Sequence, residues 1–411
     1  MRLPLRWLWI VGLVVIPLVA IAGLVFRHTT AAAPEVDLPG SVTITEGREA
    51  FRPYWGRPES LTKPPEPVRI GGQAWIDYRS MDASRLDLSG QGALLTASAW
   101  FDTRTVWPAS LPPEFKPDRL MELGKDPGLG IRGLHREGVT GAGVRVAVLD
   151  IALWLDHPEY QGKVINYYAA GAQPAQGGFS ALSVLAGETT GVAPGVQVTY
   201  YATQFAADQA RGARTFLPMA AAINKILDDN RRLAKADRVR VICAPIGADV
   251  SEEGYEALRQ AYRRAKDEGV LIATNDMVTL YPYAIYGLGR KPYADPNDLA
   301  AYGLGSFWAD AWAANGGSTA KWLFVPMDAR TVSGMTTPNF AYYPGLGLGM
   351  AVAWGAGMYA LVAQVDPKVT PEEFLEVAYK TGDYITVNRD GKEFRLGPII
   401  NPSRVIEYFK Q

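Results

Sequence analysis

Hydrophobic and polar positions divide the chain into stretches of different rhythm. Residues 7–26, WLWIVGLVVIPLVAIAGLVF, form one uncharged apolar run preceded by Arg2 and Arg6. At about 1.5 Å rise per residue, a helix of that length crosses a hydrocarbon core of roughly 30 Å. Pro17 is a kink that a membrane helix tolerates. The run predicts a transmembrane anchor or a signal peptide over 1–27. Thr30, Ala31, Ala32 and Ala33 offer a cleavage site for the second alternative. The basic residues ahead of the run fit a cytoplasmic start. Either way the remainder is expected outside the cytoplasm, membrane-anchored through residues 7–26 or secreted. Residues 28–70 are rich in Pro, Gly and charge and read as a stalk or wrapping segment. Residues 71–136 carry short apolar pieces and several tryptophans. Together, 28–136 read as a linker and an N-terminal extension packed on the core, not an independent fold.

From about residue 137 the rhythm changes. Residues 144–149 (VRVAVL) form a near-continuous apolar run ending in Asp150, and 196–201 (VQVTYY) are a second strand candidate. Helical periodicity over 217–235 precedes a strand at 239–244. A helix at 252–267 precedes a strand at 270–274, and 322–325 is a further short strand. Strands apolar on both faces and alternating with helices predict an α/β fold with a mostly parallel sheet. Open parallel sheets place their sites beyond the carboxyl ends of the strands, where Asp150 and Asn275 fall. Residues 346–363, LGLGMAVAWGAGMYALVA, suit either a second membrane helix or a helix packed close on all sides. Its glycines and alanines favour the packed helix. Thr370, Pro371 and Glu373 then open another helix with a capping box. Residues 386–411 read as the C-terminal tail of the same domain, and no internal repeat is visible.

The chain has 411 residues, of which 48% are hydrophobic and 20% charged, the composition of a globular protein. Its 41 Lys and Arg against 42 Asp and Glu argue against nucleic acid as the main partner. A single cysteine, Cys243, excludes an intrachain disulfide framework and any multi-cysteine metal centre. The three histidines are His28, His135 and His157.

Residues 138–159, GVTGAGVRVAVLDIALWLDHPE, resemble the aspartate motif of the subtilisin-like serine proteases, the subtilases (peptidase S8). Further pieces follow in that family's order. Residues 191–194 (GVAP) resemble the stretch before a core strand, and 241–247 (VICAPIG) resemble the substrate-lining strand. Residues 270–275 resemble the strand ending at the oxyanion asparagine. Residues 347–382 resemble the serine-bearing helix and its continuation. The resemblance spans about 137–385 and implies a subtilisin-like three-layer α/β fold. The extension, with Trp107-Pro108 and residues 121–124 (MELG), also looks like a bacterial branch of that family.

The family's chemistry needs Asp, His and Ser in that chain order: the hydroxyl attacks, the imidazole moves the proton, and the aspartate orients the imidazole. Asp150 matches the aspartate, and it is also the residue type that ends a strand by capping the next turn. Counting back from 191–194 puts Gly177 at the histidine position. Aligning on residues 355–357 puts Gly349 at the serine position. His157 belongs to the His-Pro-Glu that follows the aspartate motif and is not the family's base. Glycine at both lost positions implies a cleft that is either open to a close-approaching backbone or collapsed. Asn275 is the oxyanion candidate, or a plain turn residue. Ala244, Pro245, Ile246 and Gly247 are the expected substrate strand, where Pro245 offers no N–H and is compatible with an edge strand.

The resemblance therefore implies a catalytically inactive relative that holds a peptide or protein ligand outside the cytoplasm. The alternatives are an active endopeptidase with relocated groups, drawing on Ser333, Thr336 or Thr337 with Glu188 as base, and a structural envelope component. No cofactor is expected. Structural calcium is a minor alternative at Asp295, Asn297 and Asp298, a composition that ordinary turns share.

Overall fold

Strands buried on both faces build the centre of the molecule. Arg145–Asp150, Val239–Ala244 and Leu271–Thr274 are adjacent and parallel, with Val148 opposite Cys243 and Cys243 opposite Ala273. Gln197–Thr203 and then Val164–Ala170 continue the sheet in parallel on the other side. Thr45–Glu46 closes that edge antiparallel, giving six strands. The runs of Val, Ile, Ala and Tyr are what a sheet covered on both faces requires. This computed structural model describes residues 42–47, 58–70, 73–152, 154–170, 181–203, 206–208, 213–314, 321–334, 339–345 and 347–411, all within one compact unit, Leu38–Gln411. The apolar run 7–26, Gly177, Thr336 and Thr337 lie outside the described residues.

Two helix layers pack on this sheet. Leu217–Arg232 and Tyr255–Asp267 lie together, each burying an apolar stripe that includes Ile223, Ile226 and Leu227 on one and Leu258, Ala261 and Tyr262 on the other. Their outer faces are joined by Arg264, which donates to Asn224, Asp228 and Glu268. The other layer is the helix Leu348–Val365 beside the short helix Ala181–Ala186. Leu348–Val365 is apolar and long enough to span a membrane, yet 89% of it is buried inside the protein, so it is a packed core helix. Close approach explains its glycines. A Cβ on Gly355 would lie 2.2 Å from Ile285 Cδ1, and one on Gly357 would lie 2.7 Å from Val192 Cβ.

The direction of this helix fixes which edge of the sheet its first turn reaches. Gln364 Oε1 accepts from Thr140 N and Gly141 N, just ahead of the strand Arg145–Asp150. The carboxyl end of the helix is thus at the amino edge of the sheet. Its first turn, about 24 Å away at 1.5 Å per residue, points to the carboxyl edge. Gly345, just before that turn, packs against Ser306, whose N–H donates to Asp328 beyond the carboxyl end of Trp322–Pro326.

The structure adds three features to the sequence expectation. Residues 28–70 are not without strands, since Thr45–Glu46, Glu59–Ser60 and Val68–Ile70 all pair. The extension shares a five-stranded sheet with the core: Ala99–Asp102 lies between Gln73–Asp77 and Phe340–Tyr343, which in turn pairs with Arg330–Ser333. It also carries its own hydrophobic cluster, centred on Tyr78, Leu95, Phe101, Phe115 and Tyr342. Finally, the boundary at 385 falls inside a strand. Asp383–Arg389 and Lys392–Ile399 form a hairpin that joins Trp322–Pro326 and Ala284–Arg290 in a second five-stranded sheet. The strand expected at 322–325 therefore belongs to that sheet and not to the central one.

Gly357→Ala tests the packing of the core helix. Helix propensity alone favours alanine by about 1 kcal/mol. The clash with Val192 should outweigh it and leave a net loss of about 1–2 kcal/mol in chemical denaturation. A variant more stable than the parent would mean that the helix is loosely seated.

Candidate functional site

Four sequence-predicted positions come together at the carboxyl edge of the central sheet. Asp150 is the last residue of its strand, two positions past the Val148–Cys243 pair. Ala244 ends the next strand opposite Thr274, and Asn275 follows at once. Adjacent strands lie about 4.8 Å apart, so these three residues share one short ledge. Gly349 is the second residue of the helix whose first turn points to the same edge, and it is buried. Gly177, the fifth position, is outside the described residues.

The ledge is held by side chains that reach between its loops. Asp276 Oδ2 accepts from Ala248 N at 3.0 Å, and Thr274 Oγ1 donates to Ile246 O at 2.7 Å, so residues 245–248 are tied across the end of Leu271–Thr274. Val239–Ala244 lies inside the sheet and is not an edge strand. Pro245 is tolerated because it falls one residue beyond the last paired position, where no ladder N–H is required. Asn275 is not simply a turn residue with its own bonds made: its Oδ1 is buried without a hydrogen-bond partner among the described residues.

Asp150 accepts from Ile151 N at 2.9 Å and from Ala181 N at 3.4 Å. No imidazole or hydroxyl is among its partners in the described residues. Its carboxyl lies beside buried Tyr200 and Cys243, and its charge reinforces the upward shift that burial imposes on both of those groups. Burial likewise pushes the Asp150 carboxyl up to about 6, against the opposing effect of the two N–H groups.

Among the described residues, the histidines and Ser333 are engaged elsewhere. His157 is fully buried, its Nδ1 accepts from Glu159 N, and its Nε2 lies 2.9 Å from Asn339 O. Those contacts fix the neutral ring with hydrogen on Nε2, and burial lowers its pKa. His135 donates through Nε2 to Val192 O. Ser333 is fully buried, its hydroxyl against that of Tyr160 and its N–H on Ser183 Oγ. Relocation of the nucleophile to Ser333 is therefore not what the structure provides. Glu188, considered as a base, pairs with Lys163 at the surface.

One buried residue had no role in the sequence reading. Glu159 is 2% exposed, and its carboxylate accepts from the N–H and hydroxyl groups of Thr189 and Thr190. The visible signal was its place in His-Pro-Glu, but the donors lie 30 residues on. Asp295, Asn297 and Asp298 are occupied as turn acceptors: Asp295 takes Asn297 N, Asn297 Oδ1 takes Gly130 N, and Asp298 takes Ala300 N. Among the described residues no group of three or more His, Cys, Asp or Glu is placed to hold a metal.

No family model and no curated protein matches the chain. Among solved structures it is similar to the prenylagaramide maturation protease PagA, with 15% identity and a TM-score of 0.46, covering 68% of this chain and 98% of that one. It is also similar to fervidolysin from Fervidobacterium pennivorans, described as a keratinolytic enzyme related to subtilisin, with 18% identity and a TM-score of 0.47. That match covers 70% of this chain and 47% of fervidolysin.

The Asp150 shift has a measurable sign. Its folded pKa of about 6 lies above the ordinary 3.8, so its contribution to stability is full below 3.8 and is lost as pH rises through 6. Asp150→Asn should gain about 1–3 kcal/mol relative to the parent on going from pH 4 to pH 8. Parallel melting-temperature profiles for the two proteins would show that the carboxyl is not desolvated.

Proposed function

We propose that this chain is a subtilisin-like body that holds an extended peptide or protein segment outside the cytoplasm without cleaving it. The observation that carries the reading is the fate of the reactive groups. Asp150, residues 244–247 and Asn275 lie at the carboxyl ends of adjacent strands, while His157 and Ser333 are buried in bonds to other partners. Losing the triad in an enzyme of this kind lowers turnover about 10⁶-fold, and what remains comes from binding. Binding is supported in its own right. Val250, Val278 and Phe307 are 74%, 52% and 46% exposed. Val250 and Val278 lie three residues beyond Gly247 and Asn275, and Phe307 is the neighbour that a Cβ on Gly347 would meet. We take these three exposed side chains as the apolar contacts of the proposed segment. Asn275 Oδ1, which has no hydrogen-bond partner among the described residues, offers a polar acceptor beside the segment. The apolar run 7–26 supports the extracytoplasmic placement.

A fluorophosphonate probe should leave the purified full chain unlabelled, and a peptide array should find ligands whose affinity falls about tenfold in Val278→Asp or Phe307→Asp. A labelled serine, or release of fluorophore from a quenched peptide substrate, would instead establish an active endopeptidase. Unlabelled protein that binds no peptide would leave the structural envelope role.

A further inference from the structure

At the opposite edge of the sheet, about 20 Å from Asn275 along the six residues of Val239–Ala244, a cavity of about 250 Å³ opens between the strand starts and residues 367–370. Five cations line it: Arg231, Lys235, Arg238, Arg240 and Lys368. Glu268 is the one acid in the lining, and it is already shared by Arg231 and Arg264. The other four cations have no carboxylate within 4.0 Å among the described residues. Arg240 donates to Pro367 O and Val369 O, and Arg238 uses only Nε, on Leu233 O. These contacts to neutral groups hold the two arginine side chains in place without a close carboxylate.

The chain as a whole is close to neutral, with a formal net charge of −1. Four cations without a close carboxylate around one small cavity are therefore a local departure, and their mutual repulsion is relieved by an anion. The helix Pro371–Thr381 also starts here, but Thr370 Oγ1 accepts from Glu373 N, and Glu372 and Glu373 occupy its first turn. The recognition thus rests on the side chains and not on the helix terminus. A tetrahedral oxyanion displaces roughly three waters' worth of volume, about 90 Å³, which the cavity admits with room for a linked group. A dianion with several acceptor oxygens suits dispersed cations, and the free terminal nitrogens of Arg238 suit a phosphate better than a monocarboxylate.

We propose that this cavity binds a phosphate group, either of a soluble phosphorylated compound or of a lipid headgroup. Inorganic phosphate, titrated into the full chain in detergent at constant ionic strength, should raise the melting temperature saturably above a sodium chloride control. Phosphate also stabilises proteins by exclusion from their surface. The decisive comparison is therefore Lys235→Ala/Lys368→Ala, which should fold normally and weaken the saturable response about fivefold or more. A second readout is broadening of the phosphorus resonance by the parent and not by the variant. Glycerol phosphate and monomeric dihexanoyl phosphatidic acid separate the two sources: a response to the lipid alone assigns a headgroup. An equal response in parent and variant, or none to any of the three probes, overturns the proposal. Peptide binding at the other edge is read separately in the same variant, so the two assignments fail independently.

Discussion

The Glu159 carboxylate is the constraint on which the centre of this molecule depends. A bare carboxylate in a protein interior is costly, and it persists only where donors replace the water it has lost. Here Thr189 and Thr190 supply both backbone and hydroxyl donors. The chain of bonds then runs outward. Thr190 Oγ1 accepts from Ser183 Oγ, and Ser183 Oγ accepts from Ser333 N, so the carboxylate polarises a line of hydroxyls reaching into the strand shared with the extension. Thr190 O also receives the guanidinium of Arg330, a buried cation whose pKa burial lowers to about 10. One carboxylate thus joins the turn at 157–160, the helix Ala181–Ala186 and the strand Arg330–Ser333.

That web also holds His157 and Ser333 in place. A base must move its proton and a nucleophile must reach a substrate, and both need freedom that a satisfied buried network denies. His157 has each ring nitrogen committed, and Ser333 has its hydroxyl against Tyr160. At the position where the resemblance implies a nucleophile, Gly349 offers backbone alone. Asp150 then has no imidazole to orient among the described residues, and its carboxyl reverts to the behaviour of any partly desolvated acid. What the described residues show at the ledge is an Asp150 carboxyl held by two backbone N–H groups and a buried Asn275 Oδ1 with no hydrogen-bond partner among them.

Much of the fold was legible because the central strands are apolar on both faces and their helices carry a clean stripe. The start of Arg145–Asp150, the run Val239–Ala244 and the N-cap at Thr370 follow from local chemistry, and Thr370 indeed accepts from Glu373 N. The positions of Asp150 and Asn275 at strand ends followed from the rule that parallel sheets carry their sites there, while residues 244–247 came only from the resemblance. The strand pairings of the extension were not legible, because they complete a sheet with residues more than 200 positions away, and nothing in a short aromatic-rich run announces its partner. The hairpin Asp383–Arg389/Lys392–Ile399 was missed for a related reason: it alternates charged and apolar residues and reads as a solvated tail until Lys392–Ile399 meets Trp322–Pro326. The engagement of His157 and Ser333 was illegible too, since no spacing reveals that Glu159, Ser183 and Asn339 converge on them.

The strand Val239–Ala244 carries both proposed binding regions, one at each end, and this bears on how they combine. Arg240 near its start fixes residues 367–369, and Ala244 at its end leads into the ledge. Between them Val241, Ile242 and Cys243 are fully buried. A close-packed strand of this kind transmits little displacement, because moving it requires both helix layers to move as well. Sites separated by about 20 Å without a common side-chain partner are expected to act additively. For the two proposed binding regions the sheet is therefore a rigid spacer, and occupation of either is expected to leave the affinity of the other unchanged.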